Sequence, residues 1–267
     1  VFRPTMQRSP MFPTHVDSLS NVKRYLDVLS SLERENGPLH ERRQKAVDYL
    51  TQVTQSEIGF WSMGHGHPRQ HNVTPIVMIS HGLPEEKHGA FVEMGCSAEI
   101  DKWFRQPLIP LLDQEHQVCV SRSRFYSEAQ WHGSRMYQEC VRELGVDNWL
   151  MSVRYCDPNT WCGITLFREA GLPDYSEDDC MAIDVVLAAK TWLHCGLPKP
   201  ATFEQATQLN PRNRTVLLML LDGYSRKEIA SQMELTLHVV NDSIKAIYRH
   251  FGTSSATELA AKFLRGS

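Results

Sequence analysis

The sequence of 267 residues predicts an α+β protein, in which an antiparallel-sheet domain is followed by a small all-α domain of four helices. Two observations predict this class. In residues 15–196, helical patterns are interspersed with short runs rich in β-branched and aromatic residues, which are typical of strands. From residue 209 onward only helical patterns occur, separated by turn residues and capping motifs. The length suits two domains, and a hydrophobic content of 42% is ordinary for a globular protein.

The chain begins with a predicted arm and two predicted helices. Residues 1–14 are rich in proline and aperiodic, which predicts a flexible arm. Residues 17–36 carry apolar side chains at helical spacing, and Gly37-Pro38 stops this helix. Residues 39–55 fit a second helix.

Strand-like runs and short helices make up the rest of the first domain. The predicted strands are residues 57–63, 74–80, 117–121, 149–155 and 161–167. The predicted helices are residues 85–93, 97–104 and 131–144, with a long helix from Ser176 to residues 194–196. Helices segregated against an antiparallel sheet make an α+β domain over residues 15–196. Pro198 and Pro200 mark a linker, residues 197–208.

Residues 209–267 contain start and stop signals for four helices. Asn210-Pro211 starts the first helix, and Gly223 ends it. A capping box at residues 225–228 opens the second helix. Thr236 caps a third helix that reaches Phe251, and a second capping box at residues 255–258 opens the fourth.

The third of these helices has two distinct faces. Apolar residues recur at steps of four, three and four, which predicts one buried stripe: Val240, Ile244, Ile247 and Phe251. The other side carries a polar set: His238, Asn241, Asp242, Lys245 and Arg249. A helix with one buried and one projecting polar face can enter the major groove of DNA.

The motifs of this domain resemble the LuxR/FixJ (GerE) type of helix-turn-helix. Leu-x-Pro-Arg stands at its start, Lys-Glu-Ile-Ala in its second helix and Ile-Tyr-x-x-Phe-Gly at the end of its third. The resemblance implies binding to double-stranded DNA. The residues expected to face bases are His238, Val239, Asn241, Asp242 and Lys245, and those expected to meet phosphate are Lys227, Thr236 and Arg249. A homodimer contact is expected through the fourth helix, at Glu258, Leu259, Lys262 and Phe263.

The sequence departs from the family pattern on the face expected to meet DNA. The family usually has Lys where Asn241 stands and His where Ser243 stands. Asn could read adenine, and Asp242 could accept a hydrogen bond from cytosine or pair with Lys245 three residues on. The DNA sequence that is read is therefore expected to be unusual.

The order of elements in the first domain resembles a GAF- or PAS-type sensory domain, and residues 125–193 carry this similarity. An autoinducer-binding domain has a related fold, but its full Trp/Tyr/Asp pattern is not seen. A sensory domain implies a pocket between the sheet and the small helices for an unknown small-molecule or protein signal. The aromatic candidates to line it, each with core packing as the alternative, are Phe60, Trp61, Trp103, Phe125, Tyr126, Trp131, Tyr137 and Trp149.

Charge is distributed unevenly between the two domains. Residues 209–267 hold eight Lys and Arg against five Asp and Glu, a balance of +3. The whole chain carries −3, which leaves −6 for residues 1–208. A basic head on an acidic body fits nucleic-acid contact confined to the head. No apolar run is long enough to span a bilayer, and no signal-peptide core begins the chain, so a cytoplasmic location without membrane contact is expected.

Other chemistry is disfavoured by the sequence. His65, His67 and His71 could hold a metal, but no Cys or carboxylate lies close by, so a solvated loop is favoured and no metal or cofactor is expected. Cys156 and Cys162 flank the turn of a predicted hairpin, where they could form a redox switch. The favoured interpretation is that they are buried or spectator thiols. Phosphate-loop and nucleophile-elbow motifs are absent from the sequence.

Together these patterns predict a DNA-binding transcriptional regulator rather than an enzyme. Two alternatives stay open. Asn241 and Asp242 would suit an interaction protein whose head contacts a protein partner, and the thiols would suit a thiol-dependent enzyme.

Overall fold

The computed structural model describes residues 18–37, 39–67, 69, 73–84, 87, 98–194, 202, 205–206, 208–221 and 223–264. The predicted arm at residues 1–14 lies outside this part of the chain, as does the predicted helix at residues 85–93 apart from Lys87. Most of the predicted linker also lies outside it. Among the residues that the structure describes, no helix combines the length and the apolar character that a membrane span requires.

Two amphipathic helices begin the described chain, as predicted. Helix α1 spans Ser18–Arg34, and helix α2 spans Leu39–Val53. Each presents one apolar stripe to the interior, because residues three and four apart share a face. The buried side chains of these stripes are Tyr25, Leu29, Leu32, Ala46, Val47 and Leu50.

The body is built on a five-stranded antiparallel sheet in the order β2-β1-β5-β4-β3. The strands are β1 (Ile58–His65), β2 (Thr74–His81), β3 (Gln117–Ser121), β4 (Val146–Asp157) and β5 (Thr160–Glu169). All five lie where the sequence predicts strands, so the mixed helix and antiparallel-sheet class is confirmed. Strands β4 and β5 extend beyond the predicted bounds and form a long hairpin.

The two faces of the sheet support different cores, because successive side chains of a strand point to opposite faces. On strand β5, Cys162, Ile164 and Leu166 join the same buried cluster as α1 and α2. That cluster also holds helix α4 (Glu177–Ala189), whose Ser176 forms a capping box with Asp179. The other face carries Phe167 and packs against short helical segments.

The short helical segments differ from the prediction at one place. A single helix over residues 131–144 is wrong. The structure has a short helix, α3 (Glu128–His132), which ends at Gly133, and separate turns at Tyr137–Val141 and Arg142–Leu144. Helix α3 begins before residue 131, the predicted first residue, because Ser127 and Gln130 form a capping box there. Residues 98–112 form a further series of short helical turns.

Four helices form the C-terminal head, as predicted. They are α5 (Pro211–Leu221), α6 (Arg226–Gln232), α7 (Leu237–Phe251) and α8 (Ala256–Leu264). Gly252 ends α7 with a φ of 60°, a left-handed conformation that glycine adopts without a Cβ penalty.

The head packs against the body through its first helix. Helix α5 contacts the edge strand β2. Leu218 of α5 is 2% exposed and lies in the same buried cluster as Phe60 and Met78 of the sheet. The neighbouring Leu217 lies instead in the cluster that holds the buried side chains of the head.

Candidate functional site

Helix α7 has the two faces that its sequence predicts. The four apolar residues of the predicted stripe are each no more than 2% exposed. On the opposite side the side chains of His238, Asp242 and Lys245 are 85%, 55% and 71% exposed. Arg249 is also exposed, and Asn241 and Val239 are half-buried. Ser243 is 3% exposed, so its difference from the usual histidine lies inside the head rather than on the projecting face.

The charged groups on the projecting face pair with one another. Asp242 lies 3.4 Å from Nε2 of His238 and 3.5 Å from Nζ of Lys245. The predicted pairing of Asp242 with Lys245 is therefore formed. Because these side chains are exposed, the pairs add little stability. They do offset part of the positive charge that this face presents.

Arg226 is a residue of this face that sequence reasoning missed. Its Nη1 donates to Oδ1 of Asn241 at 3.2 Å, which joins the start of α6 to the middle of α7. In the sequence Arg226 lies inside a capping box whose capping residues are Ser225 and Glu228, so no contact with α7 was predicted for it. The signal that could have indicated one is a cationic side chain close to a projecting helix.

The residues expected to meet phosphate surround the same helix. Lys227, Thr236 and Arg249 are all exposed. The hydroxyl of Thr236 accepts a hydrogen bond from the backbone N–H of Val239 at 3.3 Å and so caps α7.

The fourth helix uses its apolar residues within the head. Leu259 and Phe263 are fully buried, and the ring of Phe263 packs edge-on against Phe251 at a centroid distance of 5.2 Å. Nζ of Lys262 donates to the carbonyl oxygen of Phe251. Leu259 and Phe263 therefore anchor α8 in the core of the head, and the dimer contact expected through α8 stays a prediction. Glu258 remains exposed; its carboxylate accepts a hydrogen bond from the backbone N–H of Ser254, and its own backbone N–H donates to the hydroxyl oxygen of Ser255.

The body contains an apolar cavity of about 130 Å³ between the sheet and the small helices. Its walls come from four strands, from the helical turns of residues 98–112 and from the head. They include Phe60, Met78, Phe104, Leu108, Met136, Met151, Val153, Trp161, Phe167 and Leu218. Arg105 and Tyr155 also line it, and each donates a hydrogen bond to a backbone carbonyl, that of Val73 and that of Gly66.

Of the eight aromatic residues predicted to line a pocket, Phe60 lines this cavity. Trp61 lies on the opposite face of the sheet, where the guanidinium of Arg43 stacks 4.2 Å from its ring centroid. The other six pack in or against the cluster behind the cavity wall: Trp103, Phe125, Tyr126, Trp131, Tyr137 and Trp149. These six and Trp61 thus pack in or against buried clusters, and a contact of any of them with a signal molecule stays a prediction.

The histidines and thiols that the structure describes are not brought together as a metal centre. His65 ends strand β1, the ring of His67 packs against Tyr155, and His71 lies outside the described residues. In the part of the chain that is described, no three His, Cys, Asp or Glu side chains are grouped to hold a metal ion. Cys156 and Cys162 do approach across the hairpin, with their sulfur atoms 3.9 Å apart.

Comparison with known families identifies the head. Residues 207–263 match the family model described as bacterial regulatory proteins, luxR family. This segment is therefore a LuxR-type helix-turn-helix domain, as its motifs predict. Among curated proteins, none matches this chain.

Three solved structures are similar to the chain at low sequence identity. Escherichia coli SdiA is 11% identical over 90% of this chain and 95% of that one, with a TM-score of 0.42. SdiA in complex with octanoyl-rac-glycerol is 12% identical over 94% and 96%, with a TM-score of 0.46. The VqsR LBD domain from Pseudomonas aeruginosa is 9% identical over 66% and 92%, with a TM-score of 0.37.

Proposed function

We propose that this protein is a DNA-binding transcriptional regulator in which a GAF/PAS-like sensory body controls how a LuxR-type head meets DNA. The observation that carries the proposal is helix α7, in a segment that matches the luxR family model. Its apolar stripe is buried, and its polar side projects into solvent. A helix presented in this way fits the major groove, where its side chains reach the edges of bases.

The charge of the head argues for two copies acting together. Non-specific affinity for DNA follows the number of phosphates that are neutralised. The head carries a balance of only +3, and Asp242 lies within 3.5 Å of both His238 and Lys245. One head therefore attracts phosphate weakly. A homodimer that reads two half-sites would supply the missing affinity.

The polar face of α7 also supports sequence-specific reading. Asn can bond adenine through two atoms, and a carboxylate can accept from cytosine N4. Arg226 holds the side chain of Asn241 in place, which favours one orientation of its amide.

Selection of genomic fragments by the full-length protein tests DNA binding directly. Wild-type protein is expected to enrich a defined sequence, and Asn241→Ala is expected to relax the preference at one base position by about 1–3 kcal/mol. Lys23→Ala, on an exposed position of α1, is the matched control and leaves the enriched sequence unchanged. Enrichment of no sequence by the wild type would favour the alternative in which the head contacts a protein.

The cavity of the body supports a small apolar signal. Its volume of about 130 Å³ is similar to that of an engineered apolar cavity of about 150 Å³ that binds benzene. Met78, Met136 and Met151 line it, and methionine side chains rearrange readily to admit a larger molecule. The buried indole N–H of Trp161 has no hydrogen-bond partner among the described residues, so it offers a donor to a ligand with one acceptor atom.

Leu218 provides a route from the cavity to the head. This residue belongs to α5 of the head and also lines the cavity of the body. A ligand that fills the cavity contacts the head directly. A molecule larger than the cavity must displace part of its wall, and a shift of Leu218 would shift α5. Such a ligand changes the populations of two positions of the head only if it binds the protein more tightly in one of them.

Binding of toluene tests whether the cavity accepts an apolar molecule. We expect saturable binding that raises the unfolding temperature and changes the fluorescence of Trp161. Val153→Phe fills the cavity and should abolish binding, while Val185→Phe, at a position on α4 that is 44% exposed, should not. Equal binding to both variants, or none to the wild type, would contradict this part of the proposal.

A further inference from the structure

The hairpin of β4 and β5 brings two cysteines together at the edge of a buried core. Strand β4 has a bulge between Tyr155 and Asp157, and Cys156 lies within it. Its sulfur is 3.9 Å from that of Cys162 on β5. Cys156 is exposed, whereas Cys162 is fully buried. An oxidant in solvent therefore reaches one sulfur of the pair and not the other.

A buried imidazole lies behind the inner cysteine. Nδ1 of His194 is 2.6 Å from Sγ of Cys162. Nε2 of the same ring donates to the carbonyl oxygen of Leu187 at 3.2 Å, so the proton is on Nε2 and Nδ1 is the acceptor. Burial lowers the pKa of His194 to about 4, which keeps the ring neutral near pH 7. The neutral ring therefore presents Nδ1 to the thiol of Cys162 as a hydrogen-bond acceptor.

The two thiols differ in acidity as well as in exposure. The single S–H of Cys162 is shared between Nδ1 of His194 and Sγ of Cys156, and its interaction with Cys156 lowers the pKa of that thiol. The positive charge of Arg154 acts in the same direction. The hydrogen bond to Cys156 and burial raise the pKa of Cys162. The exposed sulfur is thus the better nucleophile, because the thiolate is the reactive form. The buried sulfur keeps its proton until a base removes it.

We propose that Cys156 and Cys162 form a peroxide-reactive dithiol site, which closes to a disulfide with His194 as the positioning residue that orients the Cys162 thiol. In the first step the Cys156 thiolate attacks hydrogen peroxide. An S–O bond forms, the O–O bond breaks, and the departing hydroxide takes a proton from solvent as water. Cys156 becomes a sulfenic acid, and the peroxide is reduced.

In the second step Cys162, oriented by Nδ1 of His194, attacks the sulfur of Cys156. The S–S bond forms, the S–O bond breaks, and hydroxide leaves with the thiol proton of Cys162 as a second water. The two thiols are oxidised by one peroxide to one disulfide. A disulfide requires an S–S distance of about 2.05 Å, so the sulfur atoms must approach by roughly 2 Å. That movement takes Cys162 away from His194.

Oxidation of the reduced full-length protein with hydrogen peroxide, followed by alkylation and peptide mass mapping, tests the site. We expect a bond between Cys156 and Cys162 that dithiothreitol reverses, formed at least tenfold faster than oxidation of Cys140. Burial raises the pKa of the Cys140 thiol, so Cys140 is the internal reference. A Cys140→Ser variant should close the same disulfide at the wild-type rate.

Two variants separate the two steps. In Cys162→Ser, oxidation should stop at a sulfenic acid on Cys156 that dimedone traps. In His194→Gln, dimedone should label Cys156 at an unchanged rate while the disulfide closes at least tenfold more slowly, with circular dichroism verifying the fold. The proposal is overturned if Cys156 reacts no faster than Cys140, or if the oxidised protein carries other bonds, such as Cys119–Cys180, in place of Cys156–Cys162.

Discussion

Replacement of Leu218 by alanine tests how the head is held on the body. Leu218 is 2% exposed and packs with residues of the sheet, although it belongs to helix α5 of the head. The truncation removes apolar groups worth about 0.8 kcal/mol per buried methylene and leaves a space that the packed strand β2 cannot fully close. We therefore expect a loss of about 3 kcal/mol in the free energy of unfolding, at the lower end of measured Leu→Ala costs.

Tryptophan fluorescence makes this test specific to the body. All six tryptophans lie at or before residue 192, so none is in the head. Leu218→Ala should shift the fluorescence-detected urea midpoint downward by roughly 1 M or more, given typical denaturant slopes. Leu237→Ala is the matched control, because Leu237 is 42% exposed and its truncation should cost less than about 0.5 kcal/mol. If the two variants give the same fluorescence transition, the contact between head and body is refuted.

Three further predictions follow from the site and its surroundings. Asp242→Asn should raise non-specific DNA affinity, because it removes a carboxylate that lies within 3.5 Å of both His238 and Lys245 and repels phosphate; binding titrations at several salt concentrations would show this. Burial lowers the pKa of His194 from 6.5 to about 4, so the unfolded chain binds this proton more readily. Stability should therefore fall by about 3 kcal/mol as pH decreases from 6.5 to 4, and urea titrations of His194→Asn should lack that loss. Ser225→Ala removes the capping hydroxyl of α6 and should cost about 1 kcal/mol, measured by thermal unfolding of the full chain.

The helices of the head were predictable because their signals are local. Caps, turn residues and the 3.6-residue period of α7 all lie within a few positions of one another. The prediction of one helix over residues 131–144 was wrong because it overlooked another local signal. The capping box at Ser127 starts a separate short helix, which ends at Gly133.

The cavity was not predictable, because it depends on which face of each strand meets which helices. Phe60 and Trp61 are neighbours with similar side chains, yet they point to opposite faces of the sheet. Helix α5 is apolar at every position from Val216 to Leu221, so its sequence does not single out Leu218 as the one that packs against the sheet. Likewise, Cys162 and His194 are separated by 32 positions and meet only through the packing of α4 on the sheet.

The salt dependence of DNA binding by Lys245→Ala tests the central claim most directly. Full-length protein should bind its selected fragment with log K falling linearly against log salt, and the variant should bind more weakly with a slope reduced in magnitude by about 0.9. Lys23→Ala should match the wild type, because Lys23 is exposed on the body. Identical slopes for the wild type and Lys245→Ala, or wild-type binding that does not respond to salt, would contradict the assignment of α7 as the helix that meets DNA.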